Sequence, residues 1–164
     1  MPQESTTLTT FYKGWQAYQD KLIQAIAPLT PDRLALQVAP HLRSLGVIAA
    51  HIISARAYWF HDMIGEGGAD IAALVDIDDE VPFRRTAAEL VAGLQTTGQL
   101  MQDALARWTP AELAAESVPG RRRSGQTVML SRQWIVWHLL EHDLHHGGEL
   151  SLTLGMHGLE APKL

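Results

Sequence analysis

The chain contains no cysteine. That absence excludes disulfides, thiolate metal ligands and a cysteine nucleophile, and it leaves histidine and carboxylate as the strong ligands available. Long apolar runs are missing too: none approaches the ~18–20 residues that a membrane span requires, so no bilayer crossing is expected. The N-terminus, MPQESTT, lacks the basic-then-apolar order of a secretory signal, which makes the cytoplasm the expected location. Basic charge is scarce. The formal net charge is −5 and the basic run Arg121, Arg122, Arg123 is short, a balance that argues against a nucleic-acid partner. Neither internal repeats nor sustained apolar alternation occurs, so a β-protein is not expected.

What is present is helical periodicity. With 164 residues, 46% of them apolar, the chain suffices for one buried core and is read as a single domain, 1–164. From about Leu8 to Ala27, Phe11, Trp15, Tyr18, Leu22, Ile23 and Ile26 recur at steps of three or four, the signature of an amphipathic helix that Pro28 and Pro31 end. Thr30, Pro31 and Asp32 look like a turn or a short helical start, and an irregular connection should reach from there to Pro40. A second helix is predicted from near Ser44 through Leu45, Ile48, Ile52, Ala55, Tyr58 and Trp59 to the glycines at 65–68. The acidic stretch from Asp70 to Glu80 reads as a solvated connection. Thr86 and Glu89 have the spacing of a capping box, and a third helix should follow to about Trp108. Its apolar positions are Leu90, Leu94, Leu100 or Met101, and Leu105, with Gly93 and Gly98 as weak points that also permit close helix packing. Thr109 and Pro110 begin a short turn carrying Glu112 and Leu113. ESVPGRRRSGQT is read as a loop, and the longest helix is expected from about Thr127 to Leu154. Four such helices make an all-α four-helix bundle with long connections the expected fold.

Four of the eight histidines fall within nine residues of that last helix, His138, His142, His145 and His146. His142 and His146 are four apart, which puts both on one face a turn apart, close enough for two imidazoles to share a metal ion. At 100° per residue His138 lies about 40° to one side of His142 and His146 about 40° to the other, with Glu149 and Ile135 between them. Leu140, Leu144 and Ser151 lie opposite, so the helix offers apolar surface in two directions. One direction suits the core and the other suits a second subunit, and a homodimer is expected. In the second helix His51 sits among Ile48, Ile52 and Ala55, with Tyr58 near the same face. The plainer reading of such a histidine is a buried neutral imidazole; the pair on the last helix favours a third ligand. His61 is expected to be exposed, and His41 and His157 fall in loops. The window also reads His138-x-x-Glu141-His142, a zinc-protease pattern, but only 22 residues remain after His142 to supply a further ligand. The Glu-x-x-His pairs of a di-iron bundle are missing.

RSLGVIAAHIISARAYWF in the second helix and HLLEHDLHHGGEL in the last, in that order and separation, resemble the DinB/YfiT-like family of small bacterial metal-binding four-helix proteins. The likeness runs from FYKGW near the start to LTLGMHGL near the end. It implies a four-helix bundle, often dimeric, with a divalent metal on one histidine of the second helix and two of the last, here His51, His142 and His146. Three neutral imidazoles around Zn²⁺ or Ni²⁺ leave an open position, where a bound water or thiol is acidified. The resemblance thus implies a metal-dependent hydrolase or a transferase using a low-molecular-weight thiol such as bacillithiol, mycothiol or glutathione, acting on a small molecule. Tyr58, His138 and Glu149 are candidate catalytic neighbours, His145 stands at the edge, and Arg121, Arg122 and Arg123 are candidates to attract an anionic thiol cofactor. The competing expectation is a stress-linked metal-binding or scaffold protein without turnover.

Overall fold

The computed structural model describes the backbone of residues 7–121 and 124–162 and the side chains of 12–120 and 124–162. Its elements are α1 (Thr7–Ile26), α2 (Pro31–Leu34), α3 (Leu45–Ala57) continued by a π-helical segment (Tyr58–Ile64), α4 (Ala69–Ala72), a 3₁₀ turn (Ile77–Asp79), α5 (Ala87–Arg107), α6 (Pro110–Ala114), β1 (Glu116–Arg121), β2 (Thr127–Ser131) and α7 (Arg132–Met156). The four long helices form the expected bundle, with α3 packed against both α5 and α7, and α1 against α5. Among the described residues no helix is long and apolar enough to cross a membrane.

Side-chain caps start α3, α5, α6 and α7. Ser44 accepts a hydrogen bond from the Val47 N–H at the head of α3, and Ser131 does the same for Trp134 at the head of α7. The capping box predicted at Thr86 and Glu89 is formed, and Thr109 and Glu112 form a second one that makes the expected turn a short helix, α6. The π-helical segment ends at Gly65, whose φ of 81° is a left-handed conformation that glycine adopts without steric cost.

The apolar residues gather in two clusters. One is centred on Leu22, Ile26, Ile48, Ile52, Leu94 and Leu150, the other on Trp15, Phe60, Met101, Trp108, Ile135 and Leu139. Of the alternatives in α5, Met101 is the buried one. Gly93 allows close packing as predicted, since a Cβ there would stand 2.9 Å from Ile53 Cδ1. A buried polar layer joins three helices: Arg56 donates to both Asp143 oxygens and to Gln19 Oε1, and Trp15 Nε1–H donates to Asp143 at 2.6 Å. Arg56 and Asp143 are fully buried, so each satisfies the other's charge.

Three expectations are corrected. ESVPGRRRSGQT is not simply a loop, because β1 and β2 pair antiparallel with Val118 opposite Leu130 and Gly120 opposite Val128. Val118 is buried and Leu130 packs against the same cluster, so the apolar residues of this short stretch reward pairing despite its glycines and proline. The last helix accordingly begins at Arg132, after its Ser131 cap, and not at Thr127. Finally, the acidic stretch is not a purely solvated connection. Ile71, Leu74 and Ile77 recur every third residue; Ile71 and Ile77 are buried, and Leu74 packs against the core.

Candidate metal centre

Where α3 meets α7, His51, His142 and His146 each bring one ring nitrogen within 4.8 Å of the others. His51 Nε2 and His142 Nε2 are 3.2 Å apart; tetrahedral nitrogens at 2.0–2.1 Å from a zinc ion stand about 3.3 Å apart. The buried face of α7 runs through Ile135, Leu139, Asp143, Leu150 and Leu154, which puts the histidines at its margin. His146 is buried, whereas His51 and His142 are half-buried and border solvent.

The outward nitrogens of two ligands are held by carboxylates. Asp78, on the 3₁₀ turn, lies 2.7 Å from His51 Nδ1, and Glu149 lies 2.8 Å from His146 Nδ1. Burial acts to raise the Asp78 pKa, but the hydrogen bonds from His51 and Ser54 outweigh it and hold the carboxyl below its usual value. For Glu149 burial is likewise outweighed, first by the hydrogen bond from His146. Both carboxylates are therefore ionised and act as acceptors, so Nδ1 of His51 and of His146 donates to them and each Nε2 is turned inward. This is the arrangement that orients metal-binding imidazoles. His142 has no such partner: its Nδ1 is buried and unbonded among the described residues. Burial, then the neighbouring His146 and His51, pushes its pKa down to about 3. Burial also lowers that of His146, against the opposing pull of Glu149. Neutral imidazoles are the ligating form, so the donor set fits a divalent cation.

The remaining candidates fall around this triad. Glu149 occupies the outer side of His146 and reaches His145 Nε2 at 3.3 Å with its other oxygen. His145, His146 and Glu149 form a second, more exposed group of possible ligands that shares His146 with the first. His138 stacks on Trp134, with ring centroids 5.0 Å apart, and lies 6.4 Å from the His142 ring. Tyr58 is exposed and packs against Trp59. Arg122 and Arg123 lie outside the described residues, and Arg121 is described only as the backbone end of β1. His61, expected to be exposed, is half-buried, with Nδ1 enclosed and unbonded among the described residues; the π-helical turn departs from the 100° step on which that expectation rests. His157 caps α7 and its Nε2 is 3.0 Å from the Gln37 carbonyl. Sequence reasoning missed Asp78. Its signal was the Ile71, Leu74, Ile77 spacing, which draws the acidic segment against the bundle.

The fold and the whole length of the chain have counterparts among known proteins. A DinB-like protein of Bacillus cereus ATCC 10987 superimposes with a TM-score of 0.68 at 20% identity, over 94% of this chain and 95% of that one. A DinB-family structure from Exiguobacterium sibiricum 255-15 gives a TM-score of 0.64 at 18% identity, over 96% and 95%. None of the curated proteins matches the sequence significantly. The DinB family model matches residues 1–164. The chain belongs to the DinB family.

Proposed function

We propose that the protein is a metal-dependent enzyme in which His51, His142 and His146 hold a divalent ion, zinc or nickel, and that it acts on a small molecule as a low-molecular-weight-thiol S-transferase or a hydrolase. The observation that carries this reading is the convergence of three imidazoles, two of them oriented from behind by Asp78 and Glu149. A bound ion with a free position would lower the pKa of a coordinated water or thiol. The chain's own contribution is to aim the three imidazoles at one point, to keep His142 neutral by burial, and to leave the half-buried edges of His51 and His142 open for approach.

Elemental analysis of protein purified from metal-replete medium tests the reading. About one ion per chain is expected, lost in His51→Ala, His142→Ala and His146→Ala while the helical circular dichroism stays. Thiol conjugation to an electrophile, run beside ester hydrolysis, then separates the two chemistries. A metal-free protein sinks the proposal, and a metal-loaded protein inert in both assays returns the non-catalytic binding or scaffold reading.

The same proposal includes a homodimer through the outer face of α7. Trp137, Leu144 and Leu152 are 52%, 48% and 60% exposed there, and Gly148 and Gly155 leave open space beside them. Sedimentation should give a dimer for the wild type and a monomer for Leu144→Glu.

A further inference from the structure

On α7 the aromatic rings do not stop at the metal ligands. Trp134, His138, His142 and His146 follow one another at steps of four, each rotated by about 40° from the last. This row rises from the interior to the surface, from His146 at 6% exposure to Trp134 at 43%. The rings are in sequential contact: His146 to His142 at 4.3 Å, His142 to His138 at 6.4 Å, and His138 to Trp134 at 5.0 Å and nearly parallel, 10° apart. On the facing helix Trp59, eight residues beyond His51, meets both outer rings edge-on, Trp134 at 5.8 Å and His138 at 5.3 Å. The row on α7, flanked at its outer end by Trp59, thus carries aromatic rings in sequence from the convergent nitrogens to solvent.

Such a surface has a cost in isolation, because a half-exposed indole and its neighbours hold apolar area against water. Aromatic faces and edges favour another ring in offset or edge-on contact over an aliphatic chain of equal area. We infer that the substrate of the metal site carries a planar aromatic group, seated on Trp59 and Trp134 while its polar reacting end reaches the ion. Trp59 and Trp134 are then specificity-determining residues that touch the substrate away from the reacting atoms. The inference rests on the metal reading proposed above and adds the class of substrate to it.

Two hydroxamates that bind a metal through the same group and carry the same four-carbon chain test it: pentanohydroxamate, which ends in a methyl, and 5-phenylpentanohydroxamate, whose phenyl the chain carries two ring steps beyond the ligands to the tryptophans. Each is titrated into zinc-loaded protein by calorimetry, with zinc retention checked and tryptophan fluorescence followed in parallel. The phenyl compound should bind about tenfold more tightly than pentanohydroxamate and should change the indole emission. Trp134→Ala and Trp59→Leu should each remove most of that preference while leaving pentanohydroxamate affinity unchanged, which also shows that the variants are folded and loaded. Equal affinities in the wild type overturn the inference, as does a preference that survives in both variants. Protein that cannot be loaded with zinc overturns the metal reading and this inference with it, whereas protein that holds zinc and binds both hydroxamates equally overturns the inference alone.

Discussion

Asp78 and Glu149 do for the imidazoles what no ligand residue does for itself: they choose the tautomer. Asp78→Asn keeps the shape of the His51 contact and removes its charge, so the affinity for zinc should fall about 10–100-fold, as carboxylate partners of metal-binding histidines generally cost when altered. Competition with a chromophoric chelator measures it; an unchanged affinity would mean that Asp78 does not orient the ligand. Protons compete for the same nitrogens. Burial pushes the His142 pKa to about 3, below the ordinary 6.5, so the unfolded chain binds a proton there that the folded chain does not. In metal-free protein this contribution to stability is complete above about pH 6.5 and is lost as the pH falls towards 3. Urea midpoints should therefore decline from pH 7 to pH 5, and less steeply in His142→Phe; parallel declines would refute the assignment. The histidines themselves were legible in the sequence because His-x-x-x-His is a local pattern that one helix face interprets. Asp78 was not, since its partner lies 27 residues away and only the tertiary fold brings an acidic connecting segment onto α3.

Among the elements, those with caps were the most readable, because a cap is a contact across three residues. The Thr86 and Glu89 box forms as the sequence predicts. Thr86→Ala should destabilise the protein by about 1 kcal/mol, seen as a lower denaturant midpoint with an unchanged slope; no change would show that α5 is held by packing alone. The β1–β2 hairpin was hidden for the opposite reason. Proline, glycine and three consecutive arginines dominate the composition of 116–127, whereas the pairing is stabilised by Val118 and Leu130 meeting the distant Trp15 and Ile135 cluster. The π-helical turn at Tyr58–Ile64 was equally out of reach, because every residue in it is compatible with an ordinary helix and only the register of the backbone bonds differs.

Across the whole molecule, the four-helix architecture followed from periodicity, but the polar layer that crosses its core did not. No local pattern marks Arg56 or Asp143 for the interior; both are fully buried, and with Gln19 and Trp15 they link α1, α3 and α7. Removing one partner strands the other charge, so Asp143→Ala should cost about 3–5 kcal/mol, whereas the double change Arg56→Met with Asp143→Leu should recover much of that loss. Chemical denaturation of the three variants decides it, and a double variant no better than the single one would show that the layer is indispensable to the fold.

The same ion pair has a consequence for how the site fills. Arg56 stands five residues beyond His51, and Asp143 immediately follows His142, so the bond between them ties the rotation of α3 to that of α7 independently of any ion. A cation entering the proposed site would meet nitrogens already gathered and would not have to assemble the polypeptide around itself. Loading would then be separable from folding, and the ion acquired would depend on which metal is at hand when the finished protein first meets one.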